Sequence, residues 1–346
     1  MKLKYSLLAT AFLSMSLFSC EESSNDDPTM ELPTSYNFEN VSYSGQTNRI
    51  MLLSDLEAKM KSANDGETVV TADELTAIYE NTAGNYDETK QLANKTYSGE
   101  DRNAQAEMYE YFASLEAISG NSENLIGGRL FDENGVEPTQ MVAKGLMGAV
   151  LYWQATSVYF GEDKMNVDNE EVTEGKGTAM QHHWDEAFGY FGATTDYLTS
   201  GETQYYWASY AAKRAEVLDL RETIFNAFIK GRDAIDRKDY DARDEAIVEV
   251  QNAWEKLVAA NVVHYINSSL ANMADAGEYY HAWSEAKAFA GCLYFNANKT
   301  ISNEEFAQLE TLLGENPMVA TKSDLEAASL LLQEVFGFTN DELLNL

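Results

Sequence analysis

The sequence predicts an all-α protein, and three features of the chain support that prediction. Only four prolines occur in 346 residues, and residues 139–316 contain none that would break a helix. Signatures of helix N-termini recur along the chain, and the hydrophobic period after residue 50 is that of helices. Apolar and aromatic residues make up 45% of the chain, which is enough for a large core and excludes disorder of the whole chain.

The first twenty residues are typical of a bacterial secretion signal. Lys2 and Lys4 precede an uncharged apolar run from Leu7 to Phe18, too short to span a bilayer but suited to a signal peptide. The run ends at Cys20 in a segment that resembles the lipoprotein box, where the cysteine becomes the lipidated first residue of the mature chain. We therefore expect a signal peptide over residues 1–19 and a lipid anchor at Cys20. The alternative is a plain signal peptide with a chance cysteine.

Residues 20–34 are predicted to be a flexible tether, since they contain two prolines and no aromatic residue. The acidic cluster from Glu21 to Asp27 resembles export signals of some Gram-negative lipoproteins, although any soluble acidic tether would look the same. It predicts an outer-membrane lipoprotein, on the periplasmic or the cell-surface face. The lipid anchor would be the only membrane contact, and an envelope protein remains open as a partner. Cys292 is the only other cysteine, so no intramolecular disulfide is expected once Cys20 is acylated.

From residue 35 a short extended or irregular segment leads into the first helix. The periodicity then predicts helices over roughly 51–64, 71–81, 86–96, 101–118, 138–159, 177–198, 203–237, 240–271, 277–297, 302–314, 321–335 and 339–345. Capping-box signatures mark five helix starts, at Ser54/Glu57, Thr71/Glu74, Ser302/Glu305, Ser323/Glu326 and Thr339/Glu342. No strand pair is predicted. The longest irregular stretches, 119–137 and 160–176, are candidate rim loops.

The charge balance limits the classes of partner. Lys and Arg number 24 against 57 Asp and Glu, a formal net charge of −33. Removal of residues 1–19 makes the balance more negative, because it deletes two lysines and no acid. A surface of this sign repels a phosphate backbone, which excludes a nucleic-acid-binding protein. The composition does not set the oligomeric state, and a monomer is the favoured expectation.

One short pattern occurs twice, 99 residues apart. Residues 182–187 read His-His-Trp-Asp-Glu-Ala and residues 281–286 read His-Ala-Trp-Ser-Glu-Ala, so both contain His-x-Trp-x-Glu-Ala. This repetition predicts an internal duplication. The pseudo-repeats would span about 35–200 and 201–346, as two related halves that each resemble a four-helix bundle.

On a helical wheel, each copy places a histidine and a glutamate four residues apart on one face. The pairs are His182 with Glu186 and His281 with Glu285. Bulky apolar residues form the opposite face, so both helices are expected to be buried, with the pairs inside the protein or in a cleft. A buried carboxylate and imidazole must be paired, hydrogen-bonded or bound to a metal.

Two interpretations of these pairs are open. In the first, the pairs only stabilise the bundle through hydrogen bonds, and the protein is a structural or accessory envelope lipoprotein. In the second, they bind a cation or a small ligand in a central cleft. Histidine and carboxylate ligands suit Fe, Zn or Mn, and an acidic shell would concentrate cations near the cleft.

Residues 181–192 resemble the signature of the imelysin-like superfamily, a Gly-x-His-x-x-Glu motif on a core helix. His183 and Glu186 supply the His-x-x-Glu, while Gln181 stands where the motif has glycine. A closer resemblance, to uncharacterised Gram-negative lipoproteins related to imelysins, covers residues 36–38, 44–49, 144–149, 183–192 and 281–286. It implies an all-α fold of two related four-helix bundles with a lipid anchor. The superfamily is tied to the uptake of iron or other metals and was once described as containing a metallopeptidase.

The duplication and the resemblance select different histidines. The duplication aligns His182 with His281, whereas the superfamily motif selects His183. Both spacings from Glu186 can meet on a helix face, so both histidines remain candidates. The candidate ligands for Fe, Zn or another divalent metal are therefore His182, His183, Glu186, His281 and Glu285.

A metallopeptidase is the weaker hypothesis. A zinc peptidase needs three ligands, an open coordination position and a general base, as in His-Glu-x-x-His, and the sequence lacks that motif. Asp185 points between the two faces of its helix, and Cys292 shares a stripe with a glutamate, which disfavours a thiolate. The sequence therefore favours a binding protein over an enzyme.

Overall fold

The computed structural model describes residues 32–84 and 86–346, and these ranges contain thirteen α-helices and one short β-hairpin. Residues 32–346 cluster into one compact unit, and the all-α prediction is confirmed. The predicted signal peptide, the lipid anchor Cys20 and most of the predicted tether lie outside the described residues. None of the helices in the described ranges has the length and apolar character needed to cross a membrane.

The helices are α1 (Ser44–Lys61), α2 (Ala72–Tyr79), α3 (Ala104–Ile118), α4 (Pro138–Leu146), α5 (Glu162–Met165), α6 (Ala179–Phe191), α7 (Tyr206–Arg214), α8 (Leu220–Arg237), α9 (Tyr240–Ala271), α10 (Ala276–Cys292), α11 (Asn303–Leu313), α12 (Lys322–Phe336) and α13 (Asn340–Asn345). Short 3₁₀ turns lie at Ser62–Asp65, Ala93–Lys95, Ser122–Asn124 and Leu293–Phe295. The strands β1 (Leu125–Ile126) and β2 (Arg129–Leu130) form the antiparallel hairpin.

The segment before α1 is non-helical, as predicted, but α1 begins at Ser44, seven residues or so earlier than the periodicity indicates. Tyr36 anchors this segment. Its ring is fully buried and stacks on Phe188 with ring centroids 3.9 Å apart, and its hydroxyl donates to Asp185 at 2.7 Å. The anchor holds the start of α1 against α6.

The predicted helix 138–159 is regular only in its first part. After α4 it continues as two π-helical segments, π1 (Met147–Tyr152) and π2 (Gln154–Tyr159). Every residue of π1 is buried, so its apolar pattern is continuous and carries no sign of the wider turn. At Gly148 a β-carbon would lie 2.6 Å from the sulfur of Cys292, which shows how closely π1 packs on α10.

Two of the predicted helices are wrong. Residues 86–96 form turns with only a 3₁₀ segment at Ala93–Lys95, because the side chain of Asn81 satisfies the carbonyls of Asp87 and Lys90 in a non-helical path. The predicted helix 203–237 is split into α7 and α8.

The capping predictions are confirmed at three of the five positions. Thr71/Glu74, Ser302/Glu305 and Thr339/Glu342 form capping boxes. Ser54/Glu57 lies inside α1, and Thr321 rather than Ser323 caps α12. The capping box of Thr178 with Gln181 at the start of α6 was not predicted, nor was the β1–β2 hairpin.

The two helices that carry the repeated pattern pack in similar ways. α6 packs on π2 and α8, and α10 packs on α4 and α9. The indole of Trp184 donates to the carbonyl of Phe228 at 3.0 Å, and that of Trp283 donates to Leu313 at 2.9 Å. The bond from Trp184 to Phe228 and the packing of α10 on α4 cross the predicted boundary at residue 200, so helices from the two predicted halves interleave. The boundaries of the pseudo-repeats stay a prediction.

Candidate functional site

Each copy of the repeated pattern forms its own polar cluster. We call the first the α6 site: His182 and Glu186 of α6, with Gln46 of α1 and Tyr159 of π2. The second, the α10 site, consists of Glu137, Lys144, His281 and Glu285. The structure thus brings the candidate ligands together as two separate histidine–glutamate pairs, one in each site.

In the α10 site both oxygens of Glu285 have a cationic or imidazole partner. Lys144 Nζ lies 3.1 Å from Oε1 and His281 Nε2 lies 3.4 Å from Oε2. The other ring nitrogen of His281 is 2.6 Å from Glu137. Burial opposes the charge of Lys144, but Glu285 and Glu57 raise its pKa. The site is therefore a closed chain made of the buried Lys144–Glu285 ion pair and the contacts of His281 with Glu285 and Glu137.

In the α6 site the carboxylate has neutral partners, and on one oxygen only. Glu186 Oε1 accepts hydrogen bonds from Gln46 Nε2 at 3.0 Å and from the hydroxyl of Tyr159 at 3.2 Å. Nε2 of His182 lies 3.9 Å from Oε2, which is beyond hydrogen-bond distance. Among the described residues, the buried Nδ1 of His182 has no hydrogen-bond partner. Burial raises the pKa of Tyr159, so its hydroxyl remains a donor.

A polar cavity of about 330 Å³ adjoins this open carboxylate. It lies between the start of α1, the turn that includes Ala93–Lys95, π2, α6 and the irregular stretch 160–176, which the sequence predicts as a rim loop. Polar side chains form nearly all of its wall, and the lining residues are Ser42, Ser44, Gly45, Gln46, Arg49, Thr89, Lys90, Asn94, Lys95, Tyr159, Lys176, His182 and Glu186.

Gly189 is what allows α1 to approach α6 at this point. A β-carbon there would lie 2.6 Å from that of Tyr43 and 2.9 Å from that of Gln46, closer than real contacts of this kind. Gln46 itself is only 1% exposed. The glycine therefore places the amide of Gln46 within reach of Glu186.

His183, which the superfamily motif selects, points elsewhere. Its Nδ1 lies 2.9 Å from the carbonyl of Lys164, to which it donates as a neutral ring. Burial lowers the pKa of His183. The histidine nearest to Glu186 is thus His182, the one that the duplication selects.

Asp185 and Cys292, which the sequence disfavours for peptidase and thiolate chemistry, are both buried. Asp185 is fully buried; it accepts from Tyr36, Ser42 and Arg232, the last at 3.2 Å. Burial raises its pKa to about 6, against the effect of Arg232 and these hydrogen bonds. Burial also raises the pKa of the Cys292 thiol to about 12, so thiolate chemistry is disfavoured there.

The donors fit a divalent metal poorly. No group of three or more His, Cys, Asp or Glu in the described ranges is arranged to hold a metal ion. In the α10 site the ammonium of Lys144 already lies where a cation would meet Glu285. In the α6 site Glu186 and His182 share their cavity with basic side chains.

Sequence reasoning missed most partners of the two pairs. Glu137 lies just before α4 and Lys144 lies within it. Nothing in the sequence pattern around these two residues marks them as buried. Gln46 and Arg49 lie in the stretch 44–49, which the resemblance to uncharacterised lipoproteins includes. That stretch was the one available signal for the wall of the cavity.

An all-α fold with a polar cavity at one copy of a duplicated motif defines a helical protein with a candidate ligand site. The chain belongs to the family described as Domain of unknown function (DUF4856), which matches residues 113–339, about two thirds of the chain. The resemblance to an uncharacterised family is thereby confirmed. The matched range contains both copies of the motif but not Gln46 or Arg49. No curated protein and no solved structure matches the sequence.

Proposed function

We propose that this protein is a binding protein of the cell envelope that takes a small polar ligand into the cavity of the α6 site. The observation that carries the proposal is the incomplete pairing of Glu186 and His182 beside that cavity. Buried polar groups in proteins are nearly always hydrogen-bonded, so the buried, unpaired Nδ1 of His182 next to a cavity marks a place for a ligand.

The way in which the site is built supports this proposal. Tyr159, which holds one oxygen of Glu186, ends a π-helical segment, and π-helical turns occur frequently at functional sites. Gln46 and Tyr159 fix the carboxylate from two different elements. The other oxygen is thus pre-positioned for a partner that comes from outside the chain.

The proposal also covers where the protein lies in the cell and the superfamily to which it is related. After removal of the signal peptide 1–19, the lipid anchor Cys20 and the tether 20–34 would hold the binding domain at the outer membrane. The His-x-x-Glu of His183 and Glu186 on α6 supports kinship with the imelysin-like superfamily. An organic ligand is preferred to iron, zinc or another divalent cation, because basic side chains share the cavity with Glu186.

A thermal-unfolding screen of the purified full chain tests the proposal. The panel contains small carboxylates, sugar phosphates, amino acids, neutral sugars and the chlorides of Fe²⁺, Zn²⁺ and Mn²⁺. We expect at least one organic compound to raise the melting temperature, since a ligand at 100 times its Kd stabilises by about 2.7 kcal/mol. The Glu186→Gln variant should lose this response.

The matched control is Glu310→Gln, which changes a glutamate that lines a different cavity and pairs with Lys287 at 2.8 Å. It should respond like the wild type. An unresponsive wild type, or an equal response of Glu186→Gln and wild type, would contradict the proposal. A response to metal ions alone would replace the organic ligand with a cation.

A further inference from the structure

We infer that the ligand of the α6 site is a small oxyanion, a carboxylate or a phosphate, that also carries a hydroxyl or ammonium group. This inference rests on the proposed function and names the chemical class of its ligand. It follows from the charge of the cavity wall and from the free oxygen of Glu186.

The cavity reverses the charge balance of the chain. Over the whole sequence 57 acidic residues face 24 basic ones. In the cavity wall, four basic side chains, Arg49, Lys90, Lys95 and Lys176, accompany a single acid, Glu186. A strongly acidic protein has no shortage of carboxylates to pair with these cations, so the lack of acids here is a property of the site.

The lysines of the cavity have no salt-bridge partner within the described residues. The salt-bridged lysines are Lys59, Lys61, Lys144, Lys230, Lys238, Lys287 and Lys322. Burial lowers the pKa of Lys95, and the neighbouring charges of Arg49, Lys164 and Lys90 lower it further, opposed by Glu186. Like charges that are held together in this way repel one another, and a bound anion relieves the repulsion.

Arg49 is held rigidly in this wall. Its Nε donates to the carbonyl of Gln91 at 2.9 Å and its Nη1 donates to that of Gly45 at 3.2 Å, while the residue is only 4% exposed. A guanidinium group fixed by backbone carbonyls keeps its orientation when a ligand arrives. Its planar donors suit the oxygens of a carboxylate or a phosphate.

The basic side chains require an anionic group on the ligand, and Glu186 requires a hydrogen-bond donor as well. Its Oε2 has no hydrogen bond among the described residues, and it would repel a simple anion. A ligand with a donor group beside its oxyanion meets both features at once, since the donor binds Oε2 and the oxyanion meets the basic side chains. The hydroxyl or amide groups of Ser42, Ser44, Thr89 and Asn94 line the same wall and add polar contacts.

Calorimetric titration of the full chain tests the inference with four small probes and one metal. Lactate and glycerol 3-phosphate carry both groups; propionate lacks the donor, glycerol lacks the oxyanion, and Zn²⁺ is the cation. We expect lactate and glycerol 3-phosphate to bind with a Kd at least about ten-fold lower than any of the other three. The variant Lys95→Met should weaken their binding by about ten-fold or more.

Lys299→Met is the matched control, because Lys299 is another half-buried lysine that forms no salt bridge in the described chain and lies on aromatic rings. It should change the Kd by less than about two-fold.

The stability of the Lys95→Met variant is a second test. Lys95→Met keeps most of the apolar stem and removes one repelling charge. The ligand-free variant should therefore melt at a higher temperature than the wild type at low ionic strength. A lower melting temperature would mean that Lys95 serves the fold, and would overturn the inference.

The outcomes separate this inference from the proposed function. If a neutral sugar binds in a manner that Glu186→Gln abolishes, and neither anion binds, the ligand site stands and its anionic class is overturned. If Zn²⁺ alone binds through Glu186, both the organic ligand and its class are overturned. If no probe or panel compound binds, both fail.

Discussion

In the α6 site and the α10 site, the tryptophan of the repeated pattern has the same role. Trp184 and Trp283 are fully buried, and each donates its indole hydrogen to a backbone carbonyl of a neighbouring helix. This contact anchors α6 and α10 in the same way. The pattern therefore accounts for how the two helices are held.

The glutamates of the same pattern have different surroundings. Glu285 meets the ammonium of Lys144 and the ring of His281, whereas Glu186 meets two neutral donors and a cavity. The α10 site resembles a structural ion pair, the first of the two interpretations that the sequence leaves open. The α6 site supports the second, so a single interpretation for both copies is too simple.

The largest expected effect is a loss in the free energy of unfolding when Lys144 is replaced. Lys144→Met leaves Glu285 buried with only His281 beside it, and removing one partner of a buried ion pair typically costs about 3–5 kcal/mol. Urea denaturation measures this loss in the free energy of unfolding. Lys287→Met, at the more exposed pair with Glu310, should cost less than about 1 kcal/mol. Equal losses in both variants would show that Lys144 does not balance Glu285.

A smaller effect is expected at the position three residues after each glutamate, which is Gly189 in α6 and Ala288 in α10. Gly189→Ala introduces a methyl group against Tyr43 and Gln46. Crowding of this kind costs about 1–3 kcal/mol and outweighs the gain of up to about 1 kcal/mol in helix propensity. Ala288→Gly should cost about 1 kcal/mol through helix propensity and a similar amount through the loss of a buried methyl group, because Ala288 is only 4% exposed.

Denaturant unfolding of both variants measures the contrast, and binding adds a second readout. Gly189→Ala should also weaken the binding of any ligand to the α6 site, because it moves Gln46 away from Glu186. If the Gly189→Ala protein is more stable than the wild type, the close approach of α1 to α6 at Gly189 is not needed for the stability of the fold.

The smallest expected effect is on the pH dependence of stability. It concerns the residue that follows the first histidine of the pattern, which is His183 in α6 and Ala282 in α10. Burial lowers the pKa of His183 in the folded protein, while in the unfolded chain it lies near its usual value of about 6.5. The unfolded state therefore binds the proton more readily. Stability from the neutral ring is present above about pH 6.5 and is lost as the pH falls below it.

His183→Gln keeps a donor for the carbonyl of Lys164 and removes the titration. The free energy of unfolding, measured between about pH 5 and pH 8, should then fall less steeply on the acid side. An unchanged slope would assign the acid sensitivity of the wild type to other groups, such as His264, whose pKa burial also lowers.

Local signals predicted most helices. The long helix α9 has the bounds that the periodicity indicates, and three capping boxes mark their helix starts as predicted. The prediction over 86–96 failed because the backbone there is satisfied by Asn81, a side chain outside the segment. Propensity is local, and such contacts override it.

For the candidate site, the sequence by itself determined that a histidine and a glutamate share a helix face in each copy, because side chains four residues apart meet on any α-helix. Only the tertiary structure decided what each glutamate meets. Gln46 is 140 residues from Glu186 in sequence, and Lys144 is just as remote from Glu285. Charge interactions depend on distance in space, so two copies of one pattern became a closed ion pair and an open carboxylate beside a basic cavity.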